Sequence, residues 1–258
     1  MKNLLQFEFR RLLKAKYFYI CIAVSVALLL ISAATTKILM QAVTINEEEM
    51  PDIATAAFMA PTALSLMKQI GSSSVTMILA IFTTLFVTED YTSDTIKNVY
   101  SRGYTSSSVF FAKYIVTFVA GAIFLALTSL ASFLIGLSFD GVGKAGTNYA
   151  GAYLTILFCL IAYITIYFAI AISIRKTGGS IALSIIGPLA LSLILYLFNA
   201  ILKLDNVDLS DYWLDGRMTI LQTQDVEGRE IGIGCLIAFL LTAAGGVAGY
   251  FINLKREQ

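Results

Sequence analysis

The sequence predicts an all-α integral membrane protein of six transmembrane helices, on three observations. Five apolar runs, 17–36, 114–139, 151–174, 178–201 and 231–254, contain no charged residue. A sixth, 71–88, is shorter but equally free of charge, and it stops at Glu89 and Asp90. The whole chain is 58% hydrophobic and only 14% charged, with a mean hydropathy of +0.80. A bilayer core about 30 Å thick takes about 20 apolar residues in a helix rising 1.5 Å per residue. Runs of this length therefore cross it. Six spans and their short connections fill 258 residues, so the expectation is a single transmembrane domain over 1–258 with no soluble domain of ordinary size.

Residues 4–16 precede the first span and read as an amphipathic helix lying on the membrane surface. Leu5, Phe9, Leu12 and Leu13 follow i, i+4, i+7, i+8 spacing, while Gln6, Arg10 and Lys14 line the other side. Arg10, Arg11 and Lys14 suit anionic headgroups, at about 1 kcal/mol per cation near the surface. This segment is expected to be an elbow helix entering the first span. Its basic stretch is long, and no small-residue cleavage site follows the apolar run before Lys37, so the first span is expected to persist.

Between the first two spans, Glu47, Glu48, Glu49 and Asp52 precede an apolar run, 53–67, interrupted by Pro61. That run is too short to span and reads as an interfacial or re-entrant helix. Glu89 and Asp90 then open the connection to the third span. Asp94 favours the positive end of a short helix over 92–102, Thr92 or Ser93 its cap, and Gly103 its stop. Ser106 or Ser107 caps the helix that passes Lys113 into the third span. A bare hairpin needs only a few residues, so this length reads as a docking surface for another protein.

The last loop, 202–230, holds seven carboxylates around Tyr212 and Trp213. The aromatic pair reads as an interfacial belt, and the carboxylates lack the alternate spacing and central glycine of a calcium loop. Cys21, Cys159 and Cys235 all fall inside spans without metal spacing and read as small apolar fillers.

Charge sets the orientation. Segments on the side of the N-terminus hold twelve Lys and Arg against five Asp and Glu, whereas the other side holds six against twelve. The positive-inside rule places the N-terminal side, and both termini, in the cytoplasm.

The residue inventory excludes several functions. There is no histidine, and no Asp, Glu, Lys or Arg falls within the six apolar runs, which argues against an ion-coupled carrier or an intramembrane hydrolase. The phosphate-binding G-x-x-x-x-G-K-[ST] loop is missing from the sequence, so no ATP site of that type is expected in this chain. Energy for any active process must then come from a partner.

Six spans, the start E-F-R-R-L-L-K-A-K-Y and the loop E-D-Y-T-S-D-T-I-K-N-V-Y-S-R-G-Y-T-S-S-S-V-F-F-A-K-Y resemble a type-2 ABC transporter permease. In that family the segment after the second span is a coupling helix that fits a cleft on a separate ATPase. The resemblance assigns this role to Glu89, Thr92, Ser93, Asp94, Thr95, Ile96, Tyr100, Arg102 and Gly103. Serines, Ser106 to Ser108, stand where the family usually carries an arginine. Glu89 is expected to pair with Arg10 or Arg11 of the elbow.

The resemblance further implies two copies of a cytoplasmic ATPase carrying ATP and magnesium, with no cofactor in this chain. A second permease chain, favoured as an identical copy, a plasma-membrane setting and no nucleic-acid partner complete the expectation. The spans offer neutral hydroxyls but no fixed charge, which suits an amphipathic or hydrophobic cargo. Permeases of this size resemble exporters of, or immunity factors against, antimicrobial peptides, as well as drug exporters. The alternatives are export of a polysaccharide or lipid-linked glycan, or an ATP-independent carrier or channel.

Overall fold

The computed structural model describes residues 2–45, 61–202, 208–223 and 225–255. Among them there are helices and loops and no strand. Six helices are long and apolar enough to cross a membrane, as lipid requires of a backbone with no water to bond.

The N-terminal helix α1 (Lys2–Lys14) breaks at Ala15 and passes into α2 (Lys16–Ile45). A short α3 (Ala63–Lys68) and a 3₁₀ turn (Gln69–Gly71) lead into α4 (Ser73–Thr92). The small α5 (Thr95–Tyr100) connects α4 to α6 (Ser106–Phe139). Then come α7 (Tyr149–Ile174), α8 (Thr177–Leu202), a second 3₁₀ turn (Leu209–Tyr212), α9 (Leu214–Gln222) and α10 (Gly228–Lys255).

The six spans are not equivalent. In α4 and α7 about two-thirds of the spanning window is buried (67% each), against 11% in α8 and α10. So α4 and α7 form the centre, and α2, α8 and α10 give most of their surface to the surroundings. Small residues let α10 lie close along α7: a Cβ on Gly234 would come within 2.7 Å of Thr155, and one on Gly245 within 3.1 Å of Thr165. Close approach through Gly and Ala replaces the hydrophobic drive that lipid cannot supply.

Several expectations change. The buried stripe of α1 is Leu4, Glu8 and Leu12, while Phe9 and Leu13 are exposed. The helix turns a different face inward because Glu8 finds a cation there. The helix expected over 92–102 is shorter. Thr92 ends α4, its hydroxyl bonded to the carbonyls of Thr88 and Glu89, and Asp94 precedes α5 in the left-handed region at φ 56° without a side-chain cap. The helix ends at Tyr100 with Ser101 as its C-cap, and Gly103, at φ 81°, lies in the turn that follows.

On the opposite face, the acidic residues 47–49 and 52 and the start of the 53–67 run lie outside the described residues. The end of that run, α3, tucks against α6, where Gly136 lets the Ala63 backbone approach more closely than any side chain would allow. Trp213 packs inward while Tyr212 stays exposed. The Trp213 ring meets Tyr163 edge-on at 6.4 Å, because α9 folds back into the bundle.

Candidate functional site

The last turn of α4 gathers side chains from every part of the face that carries α1. Arg11 of α1 is the first of them. Its Nη1 lies 3.0 Å from Glu8 and forms a close ion pair with Asp90. Its Nη2 donates to the Phe86 carbonyl at 2.6 Å, and its guanidinium covers the Phe86 ring at 4.9 Å. Its Nε is 3.4 Å from Glu89, whose carboxylate also accepts the Tyr17 hydroxyl of α2 at 2.9 Å.

Lys113, in the early turns of α6, closes the other side. Its ammonium lies 2.5 Å from Asp90 and 4.6 Å from the centre of the Tyr91 ring. Arg175, at the turn between α7 and α8, stacks on the same ring at 5.0 Å. Arg175 also donates to Asn253 of α10 at 3.2 Å, and Asn253 donates to Ser106 at the start of α6. Thr88 of α4 bonds Thr177 of α8 hydroxyl to hydroxyl, at 3.2 Å. Through residues 86–91, α4 is thus tied directly to α1, α2, α6, the α7–α8 turn and α8, and through Arg175 to α10.

Three carboxylates (Glu8, Glu89, Asp90) meet two cations (Arg11, Lys113), and Arg175 joins them through the Tyr91 ring. Glu8, Asp90 and Lys113 are buried, at 2%, 6% and 3% exposure. Burial raises the Glu8 carboxyl above its ordinary pKa, and the nearby positive charge of Lys113 only partly offsets this. A buried pair that loses one member leaves an uncompensated charge, a loss of about 3–5 kcal/mol. The cluster therefore holds these helix ends in one arrangement.

The small α5 hangs from this hub. Ile96 is buried with Leu4 of α1 and Val109 and Ala112 of α6, and Thr95 donates to Asp90 at 3.4 Å. Thr92, Ser93, Asp94, Thr95, Arg102 and Gly103 are exposed, and the Asp94 carboxylate pairs with Lys97 at 2.9 Å. Tyr100 is half-buried against the Ile96 cluster.

Of the residues singled out from the sequence, the structure brings Arg11 and Glu89 together, leaves Arg10 and Lys14 exposed, and makes Asp90 the main partner of Arg11. Sequence reasoning missed Glu8, Asp90, Lys113, Tyr91, Arg175 and Asn253. The charge-free apolar runs concealed two of them: α4 continues through Glu89 and Asp90, and α6 begins before Lys113, so the helices themselves do carry charge. A glutamate four residues from both Leu4 and Leu12 was the signal for Glu8.

A family model described as ABC-2 family transporter protein matches residues 4–199. The chain belongs to the ABC-2 transporter family. No curated protein and no solved structure matches it. The match covers Arg11, Asp90, Lys113 and Arg175 and ends before α9 and α10. Membership of the ABC-2 family makes this a multi-pass membrane permease and implies an ABC ATPase as its partner.

Proposed function

We propose that this ABC-2 permease is the membrane subunit of an ATP-driven exporter, with the α4–α5 corner as its contact to the ATPase. The observation that carries the reading is the position of α5. With the turns that flank it, it presents an exposed polar surface, Thr92 to Thr95 and Arg102, and its root is fixed to a charge cluster that joins the ends of all six spans. A push on α5 is then delivered to α1, α4 and α6 together, because buried ion pairs and packed side chains do not yield gradually.

In this reading the face bearing α1 is cytoplasmic, in the cell membrane, and Glu89, Thr92, Ser93, Asp94, Thr95, Ile96, Tyr100, Arg102 and Gly103 form the coupling segment. Arg10 and Lys14, exposed on α1, meet anionic headgroups, and Arg11 anchors the elbow. Two ATPase subunits carry ATP and magnesium, and a second copy of this chain completes the pathway. The cargo is an amphipathic or hydrophobic molecule, a peptide, antimicrobial or drug, because the spans' interiors offer hydroxyls and apolar surface.

The test uses the full complex in reconstituted vesicles, with ATP hydrolysis and cargo efflux measured side by side. Asp94 is exposed and bonds only locally, so Asp94→Lys should leave the permease folded. Export is expected to fall severalfold while hydrolysis continues. Wild-type export by Asp94→Lys and by Glu89→Ala would overturn the coupling role.

A further inference from the structure

Most hydroxyls buried in these spans bond the carbonyl one turn back in their own helix, as Thr84, Thr88, Thr128 and Thr155 do. Ser184 and Tyr163 do not. Both are 0% exposed; the Ser184 hydroxyl has no hydrogen-bond partner among the described residues, and the Tyr163 hydroxyl faces the Asp215 carboxylate. They line one small cavity among α4, α7, α8 and α9, with room of about 20 Å³ for the centre of a water-sized guest. A site of that size holds a single water or an ion of similar radius.

The hydroxyl and carboxyl groups at this cavity outnumber its one sulfur, the Met77 thioether. Ser73 and Thr76 come from α4, Tyr163 and Tyr167 from α7, Ser184 from α8 and Asp215 from α9. Pro188 lies inside α8 and cannot donate to the carbonyl four residues back, which leaves the Ser184 carbonyl without its helical partner. Among the described residues, Asp215 is the only charge at the cavity. It accepts from Ser192 at 3.0 Å, ten residues, or about 15 Å at 1.5 Å per residue, from the end of α8 at Leu202. A carboxylate this far along a spanning helix calls for a partner. It forms no ion pair among the described residues, and the cation on its own helix, Arg217, pairs instead with Glu230.

We propose that this cavity binds one hard monovalent cation of about sodium's size, held by Asp215 with the hydroxyls of Tyr163 and Ser184. These three donors are all oxygens, which select hard cations over soft ones. One carboxylate balances a single positive charge, whereas divalent sites recruit several, and no group of three or more acidic, His or Cys side chains occurs among the described residues. Water alone would satisfy the hydroxyls but leave the carboxylate without a cation, met only by the Ser192 hydroxyl and the N-terminal turn of α9. The bound cation clamps α9 to the three spans beneath it. The site does not depend on the ATPase contact, which lies at the other end of the bundle.

Thermal unfolding of the full-length protein in lipid nanodiscs, in sodium chloride or choline chloride at equal ionic strength, tests the site. The unfolding midpoint is expected to rise with sodium concentration and not with choline. Asp215→Asn should abolish the response, and Ser184→Ala should move it to higher sodium. Equal midpoints in the two salts, the result for a cavity holding only water, would overturn the proposal. So would an unchanged sodium response in Asp215→Asn. Should that variant fail to fold, Tyr163→Phe keeps the ring and removes one oxygen, and a sodium titration identical to wild type would be equally decisive against the site.

Discussion

The ammonium of Lys113 and the carboxylate of Asp90 lie 2.5 Å apart, each almost wholly buried, on neighbouring helices that α5 connects. The pair closes the loop between α4 and α6 at its base, so α5 has a fixed platform. Removing Asp90 strands Lys113 in the bundle, whereas removing Lys113 leaves Asp90 with Arg11 alone. Lys113→Met and Asp90→Ala are each expected to cost about 3–5 kcal/mol. The double variant should be less damaging than the sum, because Arg11 keeps Glu8 and Glu89 as partners. Thermal unfolding of the four proteins in one detergent gives the coupling energy. Strict additivity would show that the pair does not hold the two helices.

Glu8 gives the cluster a pH dependence. Its burial raises its pKa, so the ionised form is disfavoured in the folded protein. The stability it contributes is fully present below the ordinary glutamate value of about 4.3 and is lost as pH rises through the elevated one. Wild type should therefore gain stability relative to Glu8→Gln as pH is lowered from 7.5 towards 5. Parallel unfolding curves for the two proteins across that range would count against the burial argument.

What was legible in the sequence follows from what each feature depends on. The spans follow from runs of apolar residues, a one-dimensional property, and 151–174 is α7 to within two residues at its start. The Glu89–Arg11 contact was readable because both residues flank membrane segments on the same side. Asp90, Lys113 and Arg175 were not, since their meeting depends on how far α4 continues and which way α6 enters. Those are tertiary outcomes. The inward rotation of α1 towards Leu4, Glu8 and Leu12 is similar: Leu5, Phe9 and Leu13 make an equally good apolar stripe, and only the cation waiting for Glu8 decides between them. Asp215 was hidden for the opposite reason. It belongs to a loop by sequence and to the bundle by position.

Orientation rests on the charge asymmetry and is directly measurable. Ser101 and Lys144 are exposed on opposite faces, so each can be replaced by cysteine without disturbing the core. A membrane-impermeant thiol reagent applied to intact cells should modify Lys144→Cys and spare Ser101→Cys until the membrane is opened. The native cysteines Cys21 and Cys159 are buried and serve as the background. Labelling of Ser101→Cys in intact cells would reverse the topology and remove α5 from any cytoplasmic partner.

Ile96 separates a folding role for α5 from a coupling one. Its side chain is 8% exposed and is the one residue of α5 buried against α1 and α6. Truncation of a buried isoleucine to alanine costs about 2–5 kcal/mol in a core. Here most of that loss should appear as local opening, because a six-residue helix contributes little to the rest of the bundle and short helices are marginal alone. Ile96→Ala is thus expected to leave the global unfolding midpoint close to wild type while amide exchange across 94–103 accelerates. Export by the reconstituted complex should fall in step with that local exchange, since a loosened α5 cannot pass a push to Asp90 and Lys113. Faster exchange with undiminished export would mean that α5 need not be rigid, and the force would have to enter elsewhere.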